Sequence, residues 1–343
     1  MISVVPVSSR HLLRVFNSPS LFSPWAGYGA PPLPSLWDLK SDPLFTGICF
    51  QAFLAFRGGR PVGRIAASTH PFAHETAAGY FGYFACADDS KVAHALVAAA
   101  AGWLLDRGKN KICGPVDLTP HQRLGLWIEG SYTFWHPSMP QNPPYYAGLL
   151  LSCGLEVETY LYAYSLELEK GTPVKVQRAA VRAARIEGVR TRSINFDDPA
   201  DGEAFSLVHN GAMAGTWGFV PLTPAGASSV LRRLSPYYDP KAVILAEAGG
   251  RPAGICLALL PRRTGKCARL AVLAVLPRYR HKGLDALMVA ECIRYLRQRG
   301  AWELELSLVA GSNRAARKML AGIDGVKLKS VYAVFSGRLQ RKI

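Results

Sequence analysis

Four basic side chains, Arg278, Arg280, His281 and Lys282, stand within five positions just before Gly283. An apolar run, residues 270–276, precedes them, and residues 283–299 follow with apolar side chains at helical spacing. A strand that passes through a proline-led turn into a helix leaves the first helical N–H groups unpaired, at the positive end of the helix dipole. Glycine lets a bulky anion approach the backbone, and the neighbouring cations add attraction. The chemistry open to such a turn is the holding of a phosphate or pyrophosphate. Asp285 stands in the same turn, where its carboxylate repels a phosphate unless it points away.

Other residues with chemical capacity are scattered. His209 closes a helix-like run, residues 203–209, and is a candidate base, as is Glu247 in a strand; a cap or surface role is the alternative for each. In Pro137-Ser-Met-Pro-Gln-Asn-Pro-Pro-Tyr-Tyr146 the prolines stiffen a loop that offers Asn142, Tyr145 and Tyr146 either to a substrate or to packing. The seven cysteines form no Cys-x-x-Cys pair and none sits beside a histidine at ligand spacing. No metal is expected, and free thiols are.

The elements that must position the basic turn occur twice. Residues 51–68 read as two strands joined at Arg57-Gly58-Gly59-Arg60, then a strand at 79–87, a helix at 90–107 ended by Gly108, and a strand at 111–116. Residues 242–260 repeat the hairpin, with Ala248-Gly249-Gly250-Arg251 at its turn, followed by a strand at 268–276, a helix at 283–299 ended by Gly300, and a strand at 303–309. The phrases GGRPVG and GGRPAG agree at Gly-Gly-Arg-Pro and at the later glycine. This is an internal repeat of one α/β unit. A boundary near residues 169–173 divides the chain into domains 1–170 and 171–343, the second opening on a helix at 176–186 with Arg178, Arg182 and Arg185 near one face.

With 343 residues, of which 49% are hydrophobic, the chain can fill two cores. A net charge of +16 favours an anionic partner or serves solubility alone. No apolar run is long enough to span a membrane and no secretory signal is evident, so a cytoplasmic protein is expected.

Strand, basic turn, glycine and helix together resemble the GNAT (N-acetyltransferase) superfamily, whose Arg/Gln-x-x-Gly-x-Gly/Ala loop holds the pyrophosphate of acyl-coenzyme A. Arg280-His281-Lys282-Gly283-Leu284 matches its first five positions; Asp285 replaces the usual Gly or Ala, and Ala286 follows. The Met-Pro-x-Asn-Pro-Pro-Tyr-Tyr phrase resembles one found in bacterial double-GNAT proteins. The resemblance implies an α/β fold of two tandem GNAT-like domains, each a mixed, mostly antiparallel sheet flanked by helices. It implies that Leu273, Val275 and Leu276 lie on a splayed strand that pairs with the pantetheine arm. It matches Asn313 to an asparagine before the last helix, which a helix cap also explains. Family members often carry a tyrosine acid in that helix; Leu320 stands there, leaving Tyr332 as the nearest tyrosine beyond it. The region of His209 and Trp217 corresponds to the family's acceptor cover. In the first half, Asp88 and Asp89 occupy the place of the phosphate loop, so only the second half is expected to bind a donor.

Three functions follow. One is an N-acyltransferase that moves an acyl group from acetyl-CoA or another acyl-CoA to a small-molecule amine, with an acyl carrier protein as a further possible partner. A second is a Fem-like aminoacyltransferase that binds tRNA through the basic surface. The third is a non-catalytic binding protein on a decayed GNAT fold.

Overall fold

The computed structural model describes residues 1–18, 41–71, 75–131, 139–263 and 265–340. Pro137 and Ser138 of the proline-rich phrase lie outside them. The chain begins β1 (Ile2–Pro6), α1 (Arg10–Phe16), β2 (Cys49–Arg57), β3 (Arg60–Thr69), β4 (Ala78–Cys86), α2 (Ser90–Leu105), β5 (Lys111–Gly114), β6 (Leu126–Gly130), α3 (Tyr146–Ser152) and β7 (Glu156–Glu167). It continues α4 (Val174–Ala183), β8 (Val189–Ser193), α5 (Pro199–Met213), α6 (Pro224–Leu234), β9 (Ile244–Ala248), β10 (Arg251–Leu259), β11 (Cys267–Val275), α7 (Leu284–Gln298), β12 (Glu303–Ala310), α8 (Arg314–Ala321) and β13 (Val326–Arg338).

Two compact units result, but not at the boundary expected from sequence. The first gathers the described residues of Met1–Gly130, Pro137–Leu161 and Val331–Ile343; the second those of Ser131–His136 and Tyr162–Ser330. A cut at 170/171 places the second half of β7 in the wrong unit and misses the return of the C-terminal strand to the first. The linker composition near residue 170 marks a turn between elements, whereas the division falls inside two long strands, which carry no sequence punctuation.

The repeat is real at the level of backbone geometry. Each unit contains a hairpin whose two turn glycines have positive φ, 54° and 77° at Gly58 and Gly59, 59° and 72° at Gly249 and Gly250. That geometry matches the right-handed twist of the strands and is nearly closed to other residues. The later shared glycine is needed for closeness instead: a Cβ on Gly63 would come within 2.8 Å of Leu96, and one on Gly254 within 2.8 Å of Met288, so each helix rests on its hairpin there. The third strand pairs antiparallel with the second (β3 with β4, β10 with β11), and the strand after the helix returns parallel to it (β4 with β5, β11 with β12).

In the second unit the strand order is β8-β9-β10-β11-β12, with β7 next. Strand alternation sorts the two faces. Ala268, Leu270, Leu304 and Leu306 join Leu284, Met288, Cys292 and Ile293 of α7 in one core. Ile255, Leu257 and Leu259 of β10 turn to the other face, and α5 packs on β10 and β11.

The first unit closes the place where its parallel pair parts. β4 and β5 pair only over Ala78–Tyr80 and Lys111–Cys113. Beyond that, Val116 N donates to Phe81 O at 2.7 Å and Tyr83 N donates to Asp117 Oδ1 at 2.6 Å. The chain following β5 thus takes up the backbone groups of β4. A Cβ on Gly82 would lie 2.2 Å from Val116 O, so nothing else fits there. The start of α2 is also filled: Asp89 accepts from Lys91 N and Val92 N and pairs with Arg57. Asp89→Ala should therefore lower the unfolding free energy by about 1 kcal/mol, the ordinary cost of a lost N-cap, read as a reduced urea midpoint at unchanged slope. An unaltered midpoint would contradict the capping role.

Candidate active site

In the second unit the same topology is left open. β11 and β12 pair over four residues each, Cys267–Leu270 with Glu303–Leu306, and then separate. β11 stays on β10 as far as Val275, with a bulge at Ala271: Leu257 faces Val272 while Ala258 faces Leu270. A bulge bends a strand and increases its twist, and this one sits at the residue where pairing with β12 ends. Ala271, Val272 and Leu273 are half-buried, as are Leu308, Val309 and Ala310 on the departing β12. Among the described residues no further backbone strand pairs with the β12-facing edge of β11 beyond Leu270.

The loop after β11 is fixed from two sides. Arg280 is exposed but already engaged: its Nε donates to Val275 O at 3.2 Å and its Nη2 to Ala212 O at 2.9 Å, tying the strand end to α5. Leu276 is buried and lies against Gly211 of α5, where a Cβ would come within 2.6 Å of it. Gly283 has φ 79° and would place a Cβ 2.9 Å from Ala179 O of α4. The glycine is thus required for conformation and for helix–helix approach as well as for access by a ligand. His281 also adopts positive φ, 62°, and is exposed; Lys282 and Arg278 both lie over the Tyr279 ring.

α7 begins without a side-chain cap, and its first bond outside the regular ladder is Leu287 N to Gly283 O. The amides of Leu284, Asp285 and Ala286 precede that bond and have no backbone partner among the described residues. Leu284 is buried in the core, and Asp285, half-buried in the first turn, does not cap the helix. Where Asp89 fills the start of α2, the start of α7 is free.

On the α5 face of the fork lies a polar cluster that reading the motifs did not single out. Glu303, Glu305 and Ser307 alternate with core residues along β12 and are buried. Lys329 Nζ bridges Glu303 at 2.8 Å and Glu305 at 3.3 Å. Burial works to lower the Lys329 pKa, but the two carboxylates outweigh it and the net shift is upward, so the ammonium is retained. Ser307 Oγ donates to Glu305 Oε1 at 2.7 Å and accepts from Arg269 Nε at 3.0 Å, placing a hydroxyl and a guanidinium at the point where the strands part. Burial pushes the adjacent Cys267 thiol up to about 12, which keeps it protonated and unreactive. The alternation Glu-x-Glu-x-Ser in an otherwise apolar strand was the available signal.

The other expected site residues divide. His209, buried in α5 between Phe205 and Phe219, has its pKa lowered by desolvation; its Nδ1 lies 3.2 Å from Asn210 Oδ1. It is one helical turn before Ala212, the residue that holds Arg280. Asn210 pins the segment carrying Trp217, accepting from Leu222 N at 2.9 Å and donating to Leu222 O at 2.8 Å; Trp217 is half-buried. Asn313 is exposed and caps α8, accepting from Ala316 N at 3.1 Å. Glu247 is bound to Arg192 at 3.0 Å, and that same guanidinium reaches buried Asp201 at 2.6 Å, so Glu247 is part of an ion-pair bridge and not a free base.

Four expected residues belong to the first unit's own packing. Asn142 Oδ1 accepts from Trp127 N at 2.8 Å and its Nδ2 donates to Trp127 O and Pro143 O, both at 3.0 Å. Tyr145 OH donates to Cys86 O and Tyr146 OH accepts from Cys86 N, each at 3.0 Å. Tyr332 is buried in the part of β13 assigned to the first unit, beside Gly125. All seven cysteines are free thiols, and no group of described side chains is arranged to hold a metal ion.

A parallel strand pair that parts at a bulge, followed by an uncapped loop-to-helix start, defines the GNAT acyltransferase fold. Residues 223–322 match the acetyltransferase (GNAT) family. The match lies within the second unit, which is thus similar to that family in sequence. A tandem GNAT protein from the clavulanic acid biosynthesis pathway superposes with a TM-score of 0.64 at 14% identity, covering 100% of both chains, which gives the tandem fold. By sequence the chain is 29% identical over 64% of its length to the bacterial ceramide synthase of Caulobacter vibrioides and 29% identical over 62% to protein YghO of Escherichia coli. It spans 58% and 55% of those two relatives.

Lys329→Met should leave two buried carboxylates without their counter-ion and cost about 3–5 kcal/mol, measured by chemical denaturation. Glu303→Gln combined with Glu305→Gln in that background should recover most of the loss; failure to do so would show that the cluster is not held by charge.

Proposed function

We propose that the chain is an N-acyltransferase whose second unit binds a phosphopantetheine thioester between β11 and β12 and transfers its acyl group to an amine. The observation that carries this is the four-residue pairing of β11 with β12 and the free backbone edge beyond it. An extended arm rich in amides satisfies such an edge as a third strand would. The amides at the start of α7 offer the attached phosphate its donors. Acyl-CoA is the donor class that the match of residues 223–322 to the GNAT family supports.

The reaction needs little from the protein beyond alignment. The amine nitrogen forms a bond to the acyl carbon, the carbon–sulfur bond breaks, and the amine's proton ends on the departing pantetheine sulfur. Holding the two groups together removes much of the barrier. His209, neutral because it is buried, and the Glu305–Ser307 pair at the fork are the groups on the α5 face able to take or relay that proton; Tyr332 and Glu247 are not assigned to it. The likeness to a ceramide synthase favours a long-chain amino alcohol as acceptor and a long acyl group as cargo. The apolar character of the fork, with Val272, Leu273, Leu308 and Val309 half-exposed, is consistent with such a chain.

Coenzyme A at about 100 times its Kd should stabilise the protein by about 2.7 kcal/mol, visible as a rise in melting temperature. Gly283→Glu should abolish that rise and, because Gly283 faces α4, also lower the melting temperature of the free protein. Asp285→Gly should leave coenzyme A binding equal or tighter in calorimetry. Absence of any coenzyme A effect on the parent protein, or weaker binding by Asp285→Gly, would refute the donor slot.

A further inference from the structure

The helices that border the donor loop carry a surface the transfer reaction does not use. On α4, Ala180 and Ala183 turn inward to pack with Leu287 of α7. The outward side presents Val174, Arg178, Val181 and Arg182, with Arg185 and Ile186 just beyond the helix, all exposed. The arginines have no ion-pair or hydrogen-bond partner among the described residues. The charged residues within α4 and within α8 are all basic. α8 meets the N-terminal end of α4, where Lys175 Nζ donates to Gly322 O at 2.5 Å, and adds exposed Arg314, Lys318 and Met319. The donor loop rests on α4, where Gly283 meets Ala179.

Resting on the donor slot proposed above, we propose that this face docks an acidic acyl carrier protein, which delivers its acyl group on the phosphopantetheine arm into the β11–β12 fork. The carrier's serine-linked arm and coenzyme A share the same pantetheine thioester, so the transfer balances as already written, with the holo-carrier thiol as the released product. Three observations favour a carrier protein. First, a carrier must sit where its arm enters, and the free arginines of α4 and its C-terminal end stand on the helix against which the donor loop rests. Second, β-branched and methionine side chains are interleaved with the arginines: Val174 is 59% exposed and Val181 43%. Apolar residues among arginines fit a protein interface, whereas a nucleic acid backbone calls for cations with few apolar neighbours, and a membrane surface for bulkier Trp, Phe or Leu anchors. Third, Asp285 stands at the phosphate end of the slot. A carboxylate there opposes the several phosphates of coenzyme A more than the single phosphodiester of a carrier arm.

The test is a binding comparison on the full chain at low salt, using a purified bacterial holo-acyl carrier protein and coenzyme A side by side. The variant Arg178→Gln/Arg182→Gln/Arg185→Gln should weaken carrier binding by about 20-fold or more, as loss of complementary charge at an interface does, while coenzyme A affinity changes by less than about threefold. Asp285→Gly should tighten coenzyme A more than the carrier. Carrier binding that is absent, or indifferent to the triple variant, while coenzyme A still binds would overturn this proposal and leave the donor slot standing. Loss of both ligands on the parent protein would remove the donor slot itself. Binding of bulk tRNA, or of phosphatidylglycerol–phosphatidylcholine vesicles, that the triple variant abolishes while carrier binding is unmoved would assign the face to that partner instead.

Discussion

Two parallel strands can part only if the backbone groups turned away from each other find other partners or open space. In the second unit the parting begins at Ala271, where an extra residue bends β11 while its other edge stays bonded to β10. Arg280 then fastens the end of β11 to α5, and Gly283 seats the start of α7 against α4. The fork is thus held open by bonds behind it, not by anything within it. The free amides of α7 and the free edge of β11 are two consequences of one constraint.

The first unit shows what the same frame does when that constraint is relieved. It has the same glycine turn, a bulge of its own between second and third strands and the same parallel return. There the chain after β5 runs back to bond Phe81 and Tyr83, and Asp89 closes the helix start. A slot filled by its own backbone has no need of a ligand. The proline-rich phrase belongs to this self-sealing: Asn142, Tyr145 and Tyr146 direct their polar atoms at the backbone of Trp127 and Cys86.

Charge follows the same division of labour. The buried cations are engaged, Lys329 by two carboxylates at short range. Beside the donor loop, Arg178, Arg182 and Arg185 stand exposed with no ion-pair or hydrogen-bond partner among the described residues. A net charge of +16 says only that an anion is favoured; the placement of unpaired arginines on α4, next to the loop, says where.

Local rules read from the sequence determined much of this protein. Glycine pairs named the hairpin turns, helical spacing named α2 and α7, and the run from Arg280 to Gly283 marked the anion-binding turn, because each depends on residues near one another in the chain. α6 and β8 were missed, and α5 starts at Pro199, four residues before the expected run at 203. Tertiary structure decided what contacts at long sequence separation control. It took Arg280 for Ala212, 68 positions away. It assigned Tyr332 to the first unit and buried Glu303 and Glu305 around Lys329. It left one of two similar forks open. Spacing along the chain can reveal that a group is able to bind an anion, but whether its atoms are already spent on another segment is settled only when the strands and helices come together.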